Sequence, residues 1–161
     1  MPGKTEKSAE EFWLEYEEKI GQKVLARSLG QYLSGWEDFD IKGLSPAWGL
    51  LIATSGGFRF HHFPQRNWLQ AMRGQDGSKE NIIYIPKEKL ISASFIIESR
   101  WWVNLLKAPL PKLMVIYRDQ NDNEQTMLLE ANLKAGKNNK SELLAEKLNS
   151  IINEETITNQ D

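Results

Sequence analysis

Apolar positions change their spacing several times along this chain, and each change marks an element. Phe12, Trp13, Tyr16 and Ile20 recur three and four residues apart, the period of one helix face. Ser8 precedes Glu11 by three, which is the pattern of a capping box, and Gly21 stands where a helix C-cap belongs. The spacing predicts an amphipathic helix from Ala9 to Ile20. Its aromatic face needs a cover, and packing on its own domain is the expected one.

From Lys23 the pattern turns strand-like. "KVLARSLGQYLSGW" predicts one long strand carrying Val24, Leu25, Leu29, Tyr32 and Leu33, with a bend or bulge at Gly30. "WGLLIATSGGFRFHHF" predicts two strands joined by the Ser55-Gly56-Gly57 turn. Alternation places Phe58 and Phe60 on one face and Arg59 and His61 on the other. "PQRNWLQAMRGQDGSKE" reads as a loop, broken by Gly74, Asp76 and Gly77. "NIIYIP" and "KLISASFIIE" read as strands separated by a turn at Pro86. "KLMVIYRD" and "EQTMLLEA" form a hairpin across the polar loop from Gln120 to Asn123. Leu144, Leu148, Ile151 and Ile152 then return to helical spacing, with Asn139 and Glu142 as a cap, and residues after Asn153 read as frayed and polar.

Seven short strands with hairpin turns, followed by one amphipathic helix, predict a mainly β fold with α elements. The expected form is a bent antiparallel sandwich or partly open barrel of seven strands. The C-terminal helix would cap its open end, and the N-terminal helix would be an addition. By position, residues 1–7 form a tail, 8–21 the first helix, 22–153 the β domain and 154–161 a frayed end. No internal repeat or low-complexity segment occurs.

Composition narrows the class. A chain of 161 residues with 40% hydrophobic and 26% charged residues suits one soluble globular domain. A net charge of −2 lacks the basic surplus of a general nucleic-acid binder. With no cysteine there is no disulfide, no thiolate zinc site and no cysteine nucleophile. The polar start "MPGKTEKSAEEFW" is unlike a secretory signal, and no apolar run approaches the roughly 20 residues of a membrane-spanning helix. A cytoplasmic location is expected.

The chemistry-bearing residues are few. His61 and His62, the only histidines, are neighbours on a strand and point to opposite faces, so a structural or surface role is expected rather than a metal site. Asp119, Asn121, Asn123 and Glu130 fit positions one, three, five and twelve of a calcium loop. Glu124 stands where that loop needs glycine, and the flanks read as strands, so a polar hairpin turn is expected instead. There is no phosphate-binding glycine loop and no nucleophile elbow. Ser55 lies beside two glycines with no general base nearby in sequence. A non-enzyme without cofactor or metal is expected.

Three stretches carry a family resemblance: the "LLIATSGGFRF" hairpin, the "IYIPKEKLISASF" turn and strand, and the "LMVIYRDQNDNEQTMLLE" hairpin with the leucine-rich helix after it. Together they resemble the pleckstrin-homology-like (PH-like) fold, in particular its GRAM or bacterial PH branch, from Lys23 to about Asn153. The resemblance implies a non-catalytic recognition or scaffolding module for phosphoinositides, other lipids or proteins. Phosphoinositide binders of the family carry a basic cluster between strands one and two. Here that loop is "GWEDFDIKGLSPAW", with Glu37, Asp38 and Asp40 against Lys42 alone, and anionic head groups would be repelled.

"ESRWWVNLLKAPLPKL" is the strongest candidate contact surface. Pro109 and Pro111 prevent one continuous helix. As a strand it would send Trp101 and Trp102 to opposite faces, one of them beside Arg100, Lys107 and Lys112. Exposed tryptophan beside basic residues suits a protein hot spot or a membrane interface. Coverage of both tryptophans, one by the core and one by the first helix, is the other arrangement. The expected function is a non-enzymatic binding or scaffolding module whose partner, or second copy, is a protein contacted through Arg100, Trp101, Trp102, Lys107 and Lys112. A peripheral membrane module using the same segment is the alternative, and a small-molecule-binding barrel or hydrolase a more distant one. No nucleic acid is expected.

Overall fold

The computed structural model describes residues 9–44, 46–62, 81–96, 112–131 and 140–158. Helix α1 (Ala9–Ile20) has the bounds its apolar spacing predicts and ends at Gly21, where φ is +64°. Seven strands follow: β1 (Val24–Ser34), β2 (Ala47–Thr54), β3 (Gly57–His62), β4 (Asn81–Pro86), β5 (Leu90–Ile96), β6 (Lys112–Arg118) and β7 (Glu124–Ala131). A short helix α2 (Glu37–Ile41) lies between β1 and β2, and helix α3 (Lys140–Thr158) closes the chain. Ser8, Asn139 and the loop from 63 to 80 lie outside the described residues, and with them both predicted N-terminal caps.

All seven strands form one antiparallel sheet in the order β4-β3-β2-β1-β7-β6-β5. The strands β4 and β5 therefore stand at opposite edges, yet only a single 3₁₀ turn, Lys87–Lys89, joins them. A flat seven-stranded sheet spans about 29 Å between its edge strands, whereas the link from Pro86 to Leu90 reaches at most about 14 Å. The sheet must therefore curl on itself. Register shifts between Val24 and Ala26, between Tyr32 and Ser34, and between Leu90 and Ser92 mark irregularities where strands can bend.

The bend expected at Gly30 falls elsewhere. Gly30 sits in regular pairing opposite Gly49, and its role is steric. A Cβ there would meet Leu51 Cδ1 at 2.3 Å and the Glu130 carbonyl at 2.6 Å. The hairpin β2–β3 turns on Ser55 and Gly56, as its sequence predicts, with Thr54 opposite Gly57. Gly57 has φ +145° and faces the Ile85 carbonyl, a position that only glycine fits.

Inside the curl, Tyr32, Leu51, Phe58, Phe60, Ile83, Leu113, Val115, Met127 and Leu129 form one buried cluster with Leu144, Leu148 and Ile151 of α3. The C-terminal helix thus fills the mouth of the sheet as its stripe predicts. It runs to Thr158 rather than fraying after Asn153, since no glycine or proline interrupts it. Helix α2 was not foreseen, because five residues show no helical period.

Candidate functional site

On β2 every residue from Gly49 to Thr54 is buried, so this strand is covered on both faces. Gly49, Leu51 and Ala53 face the curl. Leu50 and Ile52 face outward and are covered by Trp13 and Tyr16 of α1, with Phe12, Ile20 and Val24 around them. The N-terminal helix therefore docks on its own domain, as expected for its aromatic face. Its last turn is tied to β1, where the Val24 N–H donates to Glu17 Oε1 at 2.7 Å. The Arg27 guanidinium lies 4.2 Å from the Trp13 ring centre, a cation–π contact.

His61 completes this interface. It is buried, and its Nε2 shares a hydrogen bond of 2.5 Å with the Tyr16 hydroxyl, its polarity set by the imidazole tautomer. Burial, with Arg59 and Lys19 nearby, pulls its pKa down to about 4, so His61 is neutral at pH 7. His62 points the other way, its Nδ1 lying 3.0 Å from the Trp48 carbonyl. The two histidines thus part company as alternation predicts, and each has a structural bond.

Toward the start of β2, away from the β2–β3 turn, the outer face carries apolar side chains in solvent. Trp48 is 54% exposed and Leu29, opposite Leu50, is 42% exposed. The opposite flank, at the β2–β3 turn, is polar and tightly bonded. Gln22 Oε1 accepts from the Thr54 hydroxyl at 2.7 Å and from Arg59 at 3.4 Å, while Gln22 Nε2 donates to the Tyr84 hydroxyl at 3.0 Å. Ser55 Oγ accepts the Lys23 N–H at 3.1 Å, which ties the turn to the start of β1.

The acidic loop between β1 and β2 is organised by one buried phenol. The Tyr32 hydroxyl donates to Asp40 Oδ1 at 2.6 Å and accepts the Trp36 N–H at 2.7 Å. Asp40 Oδ2 also accepts the Gly35 N–H at 3.1 Å. Burial, then the bond to Asp40, raises the Tyr32 pKa well above its ordinary value. Tyr117 donates to the Gly35 carbonyl at 2.7 Å and is pushed up to about 12, mainly by burial and then by Asp119 and Asp40. Glu37, Asp38 and Lys42 remain exposed on the loop.

Asp119 is the hub of a hairpin turn. Its carboxylate accepts the N–H groups of Asn121 and Asn123, at 2.8 and 3.0 Å, and the Gln125 amide at 3.0 Å. The calcium-loop pattern therefore resolves into the polar turn expected. Among the described residues no group of three or more His, Asp or Glu could hold a metal, and no helix is long and apolar enough to cross a membrane.

Of the predicted contact residues, Arg100, Trp101, Trp102 and Lys107 lie outside the described residues. Lys112 opens β6, as the strand-like run "KLMVIYRD" predicts, half-buried and paired between Ile96 and Glu130. Sequence reasoning missed Trp48 and the Tyr16–His61 contact. The unbroken apolar run "GLLIA" was the available signal, since a strand apolar on both faces requires two covers.

No protein-family model matches the chain, and no curated protein does. In structure the chain is similar to the hSac2 domain from human phosphoinositide phosphatase Sac2. The two share 13% sequence identity and a TM-score of 0.53, over 92% of this chain and 85% of that one. At that identity the likeness is one of fold.

Proposed function

We propose that this chain is a non-enzymatic binding or scaffolding module of the PH/GRAM-like type, and that its partner is a protein rather than a phosphoinositide. The observation that carries the reading is the outer sheet face, which leaves Trp48 and Leu29 in solvent beside the docked α1. A large aromatic side chain on a rigid strand is the kind of residue on which protein interfaces concentrate their energy.

Two further features support it. The seven-stranded order with a terminal helix in its mouth agrees with the resemblance in the sequence. Among the described residues, His61, Ser55, Asp40 and Asp119, which could do acid–base or nucleophilic work, hold a helix, two turns and a loop. The first loop also presents Glu37 and Asp38 where a head-group site would need cations. That the domain of a phosphoinositide phosphatase shares this fold is compatible with a binding module of either kind. The reading also assigns partner contact to Arg100, Trp101, Trp102, Lys107 and Lys112.

Flotation with phosphatidylcholine vesicles, with and without phosphoinositides, tests the choice of partner. It is combined with quantitative co-purification by the wild type, Trp48→Ala and Trp102→Ala. The expected result is no phosphoinositide-dependent flotation and a defined protein set that either substitution depletes, with unchanged circular dichroism. Phosphoinositide-dependent flotation, or an identical protein set for all three proteins, overturns the proposal.

A further inference from the structure

The interface between α1 and the sheet differs from the main core in one respect: an imidazole, that of His61, is buried beside it. Trp13, Tyr16, Leu50 and Ile52 form a small apolar cluster of their own, separate from the cluster inside the curl. His61 lies at its margin in contact with Tyr16, the ring centres 5.4 Å apart and edge to face. We propose that α1 is a detachable cover, held on the sheet by the neutral Tyr16–His61 pair and released when His61 takes up a proton.

The hydrogen bond itself survives protonation, because an imidazolium Nε2–H can donate to the Tyr16 oxygen. What changes is the charge. A buried imidazolium has lost its hydration, and two cations oppose its charge, Arg59 on its own strand and Lys19 on α1. In its cross-strand row, β2 presents Leu50 and β4 presents Ile82, both uncharged. Tyr84 of β4, two residues further along on the same face, is engaged with Gln22 and lies 4.0 Å under the Arg59 guanidinium. Release of α1 returns the ring to water and removes Lys19 from its side.

The linkage has a definite sign. The ring's pKa is about 4 with α1 docked and about 6.5 once it is free in water. Docking is therefore fully favoured above about pH 6.5. It weakens as pH falls toward 4 and changes no further, through this group, below that. Over the window the opening equilibrium of α1 rises on the order of a hundredfold. Opening exposes Leu50 and Ile52 next to Leu29 and Trp48, which widens the apolar outer face.

Amide hydrogen exchange on the full chain between pH 7.5 and 4, corrected for intrinsic rates, tests this. It is paired with an NMR titration of the His61 ring. The expected result is loss of α1 protection on the order of a hundredfold toward pH 4 while β2 and β3 amides stay protected. His61→Gln, which keeps a hydrogen-bonding group but cannot titrate, removes that slope. In the wild type the ring titrates near pH 4, and Tyr16→Ala moves its midpoint up toward 6.5. A wild-type midpoint near 6.5, α1 protection constant across the window, or the same slope in His61→Gln each overturns the proposal. The ring titration needs no variant, so it decides even if His61→Gln fails to fold.

Discussion

The Asn149 carboxamide of α3 grips both backbone groups of Ala93 on the edge strand β5. Its Nδ2 donates to the Ala93 carbonyl at 2.6 Å, and its Oδ1 accepts the Ala93 N–H at 3.0 Å. A side-chain amide thus supplies to β5 what a neighbouring strand would supply, and it does so from the helix that fills the core. An edge strand offers unpaired groups to any chain that meets it, and this pair removes two of them.

Asn149→Ala leaves that N–H and carbonyl half-buried and unbonded. The expected cost is about 1–3 kcal/mol, read as a lower urea midpoint with an unchanged slope. Asn149→Asp keeps an acceptor for the N–H but sets a carboxylate against the carbonyl, so it is expected to cost at least as much.

At Gly30 two backbones and Leu51 meet with no room for a methyl group. Leu51 can shift, but the Glu130 carbonyl belongs to the paired strand β7. Gly30→Ala is expected to destabilise by about 1–3 kcal/mol in chemical denaturation, as overpacking in a closed core does. Methyl NMR would show Leu51 displaced.

The acidic loop depends on a single phenol. Tyr32→Phe removes the donor to Asp40 and the acceptor for the Trp36 N–H and leaves the ring contact with Phe39 in place. The expected loss is about 1–3 kcal/mol, with faster amide exchange at Gly35 and Trp36. Failure of those amides to respond would refute the role of Tyr32 as organiser of α2.

Asp119 holds its turn from a partly exposed position. Its carboxyl pKa lies below the ordinary value, chiefly through the Gln125 bond and then the Asn123 and Asn121 N–H groups. A lowered carboxyl stabilises the turn above the ordinary pKa near 3.9 and loses that effect only as pH falls through the lower folded value. Protection of the Asn121 and Asn123 amides should therefore persist down to about pH 4 and fade below it. Asp119→Asn should lack that transition. Added calcium should leave both proteins unchanged, since the turn has neither the glycine nor the helices of a calcium loop.

Much of this molecule was legible along the chain. The bounds of α1 follow from a local period and a glycine stop. The β2–β3 and β6–β7 hairpins follow from alternation around turn residues. The stripe of α3 announced a helix with one buried face. Each of these signals is carried by residues within a turn or two of one another, where backbone preference and side-chain spacing act directly.

What escaped was set by contacts far apart in sequence. Helix α2 is five residues long and is held by Tyr32 from the preceding strand, so its own residues do not announce it. Gly30 read as a bend because a glycine in a strand usually signals one, while its partners Leu51 and Glu130 become visible only once three strands are side by side. Alternation placed His61 with Arg59 on one face of its strand, apart from Phe58 and Phe60, but could not say that the ring would be covered. By itself, the sequence determined the strands, the two long helices and which side chains of a strand share a face. The tertiary structure alone decided that His61 is buried while Trp48 stays exposed, because burial depends on where a helix comes to rest on a sheet, 45 residues away in the chain from the ring it touches.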